Sequence, residues 1–276
     1  MIFETIYNEL GVLKWAGDKE ISFWLWGILV LLCAIVPYLF GSINTAIIIS
    51  RKVYGEDIRN FGSGNAGMTN MHRTYGMKAA LMTLAGDCAK QIASIFFASF
   101  LYGREGAYLA GLFCMLGHIA PIYYKFKGGK GVLTAATMIL FLNPVVFLII
   151  FAIFILVVAV SRYISLGSIL SAFAYPGVLY MYMSFEVGKG KLHGVEAFPM
   201  IAAVIISFIV IFMHRSNIAR LANGKENKLC LTKKQKAKAE EERLAGKYND
   251  DDDDTNNDEP DDDTDYIDTT GMIYKK

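Results

Sequence analysis

The chain has 276 residues, 54% of them hydrophobic and 19% charged, with a formal net charge of +1. The apolar share is unevenly placed: residues 21–213 hold almost every long apolar run, and residues 214–276 are rich in charge. Runs of that length exclude an ordinary soluble domain, and a basic stretch cancelled by an acidic one gives no expectation of a nucleic-acid partner.

Residues 1–21 form an extension able to lie at a membrane interface. They include Glu4, Glu9, Asp18 and Glu20 and have no basic region followed by an apolar one, so no cleavable signal is expected. Apolar segments follow near 22–48, 77–102, 105–124, 131–143, 145–161, 163–183 and 197–213. The expected fold is all-α: a polytopic membrane helix bundle with seven transmembrane segments. The fourth segment is short and ends at Asn143-Pro144, so it is expected to tilt, pair with the fifth or re-enter. With seven spans, the loops of one side carry nine basic residues against five on the other, and the C-terminal region adds twelve to the first side. The positive-inside rule then puts the N-terminus outside and the C-terminus in the cytoplasm. The membrane domain covers 22–222, a charged segment with helix-forming composition covers 223–248, and an acidic tail expected to be disordered covers 249–276.

The polar loops carry the chemistry. After the first segment comes Asp57-Ile58-Arg59-Asn60-Phe61-Gly62-Ser63-Gly64-Asn65, with Arg73 shortly after. This stretch reads either as a helix start capped by Ser63 or Asn65, or as a tight loop whose hydroxyls, amides and arginines suit an anion. Between the third and fourth segments stands Lys127-Gly128-Gly129-Lys130-Gly131. Glycines there let backbone N–H groups turn into one concavity while the lysines supply charge, a combination that suits a phosphate. The spacing is not that of a nucleotide-binding loop, because Gly131 follows Lys130 where Ser or Thr is needed.

His118 precedes that loop within an apolar segment, as either a packing residue or a member of the site. Asp87 and Lys90, three apart on one helix face, are expected to neutralise each other. Arg162 to Ser168, which includes Ser165, opens the sixth segment; His214 to Arg220, which includes Arg215 and Asn217, closes the seventh. Both fall on the rim that bears the lysine–glycine loop.

Cys33, Cys88, Cys114 and Cys230 have no paired spacing, so buried inert thiols are expected. None of the four histidines has an aspartate five positions later, no metal-ligand cluster is spaced for binding, and no nucleophile elbow is present. No cofactor is expected.

In their order, these motifs resemble the bacterial acyl-phosphate:glycerol-3-phosphate acyltransferase family. The likeness runs from Gly41-Ser42 through Asp57-Ile58-Arg59, Gly62-Ser63-Gly64-Asn65, Thr69-Asn70, Gly117-His118 with Pro121, and Phe126 to Val132. It continues through Ser165-Leu166 with Ser168, His214-Arg215 with Asn217-Ile218, Arg220-Leu221, and then Gly224, Glu226 and Lys228. Asn44-Thr45-Ala46, Gln91, Met68 and Leu133 depart from the family pattern. The resemblance implies transfer of a fatty acyl group from acyl phosphate to the sn-1 hydroxyl of glycerol 3-phosphate at the cytoplasmic face of the bacterial cell membrane. Lysophosphatidic acid and phosphate would be the products. The implied partners are glycerol 3-phosphate, a fatty acyl phosphate, membrane lipids and the enzyme that makes acyl phosphate. Lys130, His118, Ser63 and Asn217 are then the expected catalytic residues. Arg73, Ser165, Gly128, Gly129, Gly131, Asn65 and Arg215 are the expected substrate-binding set. A membrane transporter of a phosphorylated solute or lipid is the alternative, and a scaffold acting through its tail is a third reading.

Overall fold

The computed structural model describes residues 23–229 and, in a separate unit, the two-residue strands β1 (Tyr266–Ile267) and β2 (Ile273–Tyr274), paired antiparallel. The interfacial extension, Cys230, the helical segment beyond 229 and the rest of the acidic tail lie outside the described residues.

The first unit is built from helices. They are α1 (Phe23–Ser42), α2 (Thr45–Tyr54), α3 (Met68–Tyr75), α4 (Met77–Ile119), α5 (Val132–Leu142), α6 (Pro144–Ser161), α7 (Ile164–Gly188), α8 (Ala197–Met213) and α9 (Arg215–Ala222). Four stretches, 23–54, 77–124, 144–161 and 164–188, are long and apolar enough to cross a membrane, and α8 with α9, bent by 54°, makes a fifth. That differs from seven segments for two reasons. The α5 helix has 11 residues, about 16 Å against a hydrocarbon core of about 30 Å. The second reason is that α4 is continuous in hydrogen bonding but doubled back in space.

Tyr102 and Gly103 leave helical geometry inside α4, with Gly103 at φ 58°. Lys90 Nζ and His118 Nδ1 lie 3.0 Å apart across that break, whereas a straight helix would hold residues 28 apart at about 42 Å. Gln91 Nε2 likewise donates to Gly111 O at 3.2 Å. The two arms, 77–101 and 104–119, therefore run antiparallel, and α4 packs against α1 and α5.

Small residues permit this packing. A Cβ on Gly41 would stand 2.0 Å from Cys114 O, and one on Gly117 would stand 2.1 Å from Tyr38 O. The α1 and second α4 backbones thus touch directly, as small-residue membrane crossings do. The main core joins Ile95, Tyr108, Met115, Met138, Tyr175 and Ile206 from α4, α5, α7 and α8. By contrast, α6 buries only Val146 and Ile150 and turns the rest of its apolar surface outward, an arrangement suited to lipid.

The span expected at 22–48 divides in two. Asn44 caps α2, its Oδ1 accepting from Ile47 N at 3.1 Å, and α2 runs on to Gly55 in the left-handed region. Arg51 and Lys52 occupy its last turn, where the helix dipole favours cations. Neither Ser63 nor Asn65 caps the following helix: α3 starts after Gly67, which has no side chain to offer. Beyond α9, residues 225–229 are not helical, so that part of the charged segment does not form the helix its composition favours. Cys33 and Cys114 are buried, Cys88 is half-buried, and all three are free.

Candidate active site

Two loops meet at one rim of the bundle. The first, 55–67, is shaped by its own polar side chains. Asn70 Oδ1 accepts from Ser63 N at 3.0 Å, while its Nδ2 donates to Phe61 O at 2.9 Å and Ile58 O at 3.3 Å. Asp57 caps the short turn Ile58–Asn60 and pairs with both Arg59 and Arg51, at 2.7 and 2.8 Å. The Arg59 hydrogen bonds, opposed by partial burial and joined by Arg51, hold the Asp57 carboxyl far below the usual carboxylate range. Arg59 then reaches across, donating from Nη1 to Tyr124 O at 3.0 Å and Lys127 O at 3.2 Å. One guanidinium thereby fastens the first loop to the second.

The second loop rests on the end of α4. Gly129 N donates to His118 O at 3.0 Å and Gly128 N to Ile119 O at 3.1 Å. These two amides are occupied, so they do not form the open anion cradle expected of them. The glycines act by absence of bulk instead. A Cβ on Gly128 would meet His118 O at 2.1 Å, and one on Gly129 would meet His118 Nε2 at 2.0 Å. Gly131 adopts φ 78° before α5 and would press Met115 if substituted.

From this floor Lys130 donates to Asn217 Oδ1. Asn217 Nδ2 donates to Glu226 Oε1 at 2.7 Å, Ser165 Oγ to the same oxygen at 2.8 Å, and Arg220 Nε to Glu226 Oε2 at 2.8 Å. One carboxylate thus gathers donors from α7 and α9, while Lys130 joins through Asn217. Burial pushes the Lys130 ammonium down to about 8, Arg220 adds to that, and Glu226 opposes it. Burial works to raise the Glu226 carboxyl, but the Asn217, Ser165 and Arg220 hydrogen bonds outweigh it and hold the group below its ordinary value.

Beside this network lies a cavity of about 270 Å³. Its polar side includes Ser63, Asn65, Lys130, Arg215 and Arg220, and its apolar side Ile119, Phe126 and Met213. Gly128 and Gly129 also border it. Ser165 and Asn217 stand behind, joined through Glu226, and Arg215 lies over the Phe212 ring at 4.9 Å. Arg73, exposed on α3, is close enough to act on the charge of Lys130. His118 is 4% exposed and lies behind Gly129, outside the cavity wall. Of the expected site residues, Ser63, Asn65, Gly128, Gly129, Lys130 and Arg215 line the cavity, Ser165 and Asn217 join it through Glu226 and Lys130, and Arg73, Gly131 and His118 lie off its lining.

In the sequence alone Glu226 has no role, and Arg59 and Arg220 stand only within polar clusters suited to an anion. Glu226 carried a readable signal, being the sole acidic residue between Glu196 and Glu240 amid many basic ones. Among the described residues no group of His, Cys, Asp and Glu is arranged to hold a metal ion.

The sequence profile described as glycerol-3-phosphate acyltransferase matches residues 31–224. The chain is similar to the glycerol-3-phosphate acyltransferase of Finegoldia magna, 41% identical over 202 residues, covering 72% of this chain and 96% of the relative. The Clostridioides difficile protein of that name is 40% identical over 205 residues, covering 72% and 95%. Among solved structures, the fold is similar to PlsY, an integral membrane glycerol 3-phosphate acyltransferase, in its glycerol 3-phosphate form. The TM-score is 0.65 and the identity 32%, with 73% of this chain and 96% of that one covered. The lysophosphatidic acid form of that protein gives a TM-score of 0.63 at 31% identity, covering 73% and 95%.

Proposed function

The chain belongs to the glycerol-3-phosphate acyltransferase family, and from that premise we propose that it moves a fatty acyl group from acyl phosphate to the sn-1 hydroxyl of glycerol 3-phosphate. The observation that carries the reading is the convergence of Asn217, Ser165 and Arg220 on the Glu226 carboxylate, with Lys130 joined through Asn217, beside a cavity lined by both cationic and apolar residues.

In the proposed reaction the hydroxyl oxygen attacks the acyl carbonyl carbon, forming the ester bond as the bond to phosphate breaks. Inorganic phosphate leaves, taking the hydroxyl proton. An acyl phosphate is a mixed anhydride with a good leaving group, so orientation and charge stabilisation supply the catalysis and no protein nucleophile is needed. Lys130, Ser63, Arg73 and Ser165 recognise phosphate, Asn217 orients the acceptor, and Asn65 and Arg215 complete the polar wall. Gly128, Gly129 and Gly131 allow close approach of backbone to ligand, and His118 supports them from behind.

The reading places the site at the cytoplasmic face with the N-terminus outside; the two arms of α4 crossing separately make six passages, and the short α5, crossing where the bilayer thins around it, makes the seventh. The excess of basic residues on the loop-bearing side supports that orientation. The test incubates the purified protein with acyl phosphate and labelled glycerol 3-phosphate. Labelled lysophosphatidic acid is expected, with one phosphate released per product. Equal product from an acyl thioester overturns the donor, and vesicle uptake without acylation overturns the reaction.

A further inference from the structure

A charged cluster lies beneath the glycine floor, away from the cavity. Lys90 is 8% exposed and Asp87 1%, both on the first arm of α4. Lys90 Nζ stands 3.0 Å from the carbonyl oxygens of Gly41 and Ile43 and 3.0 Å from His118 Nδ1. Asp87 Oδ1 is 2.9 Å from Lys90 Nζ and 3.6 Å from His118 Nδ1. An ammonium has three protons and no lone pair. Gly41 O, Ile43 O and His118 Nδ1 are the acceptors in hydrogen-bonding geometry, with the Asp87 carboxylate as the counter-charge beside them. His118 Nδ1 must accept, which leaves the ring proton on Nε2, the atom set against Gly129.

The three acceptors belong to parts of the chain that lead into the substrate loops. Gly41 and Ile43 end α1, where carbonyls have no helical partner. Asn44, the next residue, donates to Ala66 O of the first loop at 3.4 Å. His118 carries the second loop through its carbonyl, which accepts from Gly129 N, and through the ring beneath Gly129. One buried ammonium thus supports both loops from below, complementing the Arg59 fastening at the surface.

We propose that Lys90 is a positioning residue for acyl transfer: it sets the spacing of the two substrate loops and holds His118 in its Nε2–H form under Gly129. This rests on reading the cavity as the acyl-transfer site. A competing role is simple neutralisation of Asp87. The two are separated by comparing Lys90→Met with the double variant Asp87→Asn/Lys90→Met, each assayed for melting temperature, kcat and KM with acyl phosphate and glycerol 3-phosphate.

Lys90→Met leaves Asp87 unpaired and is expected to melt lower. In the double variant, stability returns but kcat stays roughly tenfold down and KM for glycerol 3-phosphate roughly tenfold up, since the loops remain unsupported. Recovery of turnover along with stability overturns the proposal. Should neither variant fold, histidine-selective nitrogen NMR of the wild-type protein decides, with His118→Gln assigning the signal. Nδ1 bare and Nε2 protonated is expected, and the opposite tautomer overturns the proposal. An inactive wild-type protein sinks the acyl-transfer reading, whereas active wild-type and equally active double variant sink only the role of Lys90.

Discussion

Lys130 holds its proton loosely in the unliganded site, because burial and Arg220 lower its pKa to about 8. A phosphate dianion favours the charged form, so binding draws the proton back. As pH rises through about 8 the free protein loses the ammonium, and KM for glycerol 3-phosphate is expected to climb. A plot of kcat/KM against pH should bend downward near 8, and the bend should vanish in Lys130→Arg, whose guanidinium stays charged. Stability moves the other way. Between about 8 and the ordinary value of 10.5 the unfolded chain holds this proton and the folded one does not, so Lys130 adds stability as pH rises. Lys130→Ala should abolish turnover while leaving the purified protein folded and inserted. The placement of Lys130 at the cavity was legible because glycines on both sides leave a lysine little structural purpose. Glu226 was harder to assign. Its three partners, Ser165, Asn217 and Arg220, sit on α7 and α9, far from it or from one another in sequence, and the bend between α8 and α9 helps to bring them together.

The crossing of α1 over the second arm of α4 depends on backbones in contact at Gly41 and Gly117. Gly117→Val inserts atoms where even a Cβ would stand 2.1 Å from Tyr38 O, and a loss of about 1–3 kcal/mol is expected from overpacking. Thermal unfolding in detergent measures it; an unchanged midpoint would show the helices free to separate. Separation would also move Ser42, whose Oγ accepts from Ile122 N at 3.4 Å, and Tyr38, whose hydroxyl donates to Ala120 O at 2.8 Å. The lysine–glycine loop begins just beyond those contacts. The two arms were legible as separate apolar runs with Gly103 between them. The α3 helix was not, because its eight residues are too few for the Met68, Met71 and Tyr75 stripe to stand out as a period and Gly67 supplies no side-chain cap. The α1–α2 break was likewise hidden, since Asn44 interrupts an otherwise continuous apolar run and its bonds to Ile47 N and Ala66 O exist only in the folded chain.

Among the described residues, those that line the cavity or bond its lining lie at or before Glu226, and the family match ends at 224. Truncation after Tyr248 is therefore expected to leave turnover unchanged in the same assay, and a large loss would give the tail a part in catalysis. Membrane residence was legible from bulk composition, because apolar runs of that length have few other uses. The number of passages was not, because hydropathy alone cannot say whether 11 residues of α5 cross or where one hydrogen-bonded helix reverses. The mixed lining of the cavity has a consequence for traffic. Lys127, Arg215 and Arg220 offer it charge, and Ile119, Phe126 and Met213 offer it apolar surface. The acceptor arrives dissolved in water, yet once acylated it prefers oil. Departure sideways into the leaflet then spares the newly made amphiphile any journey through the aqueous phase, and the protein works as a port where a metabolite is converted into a membrane constituent.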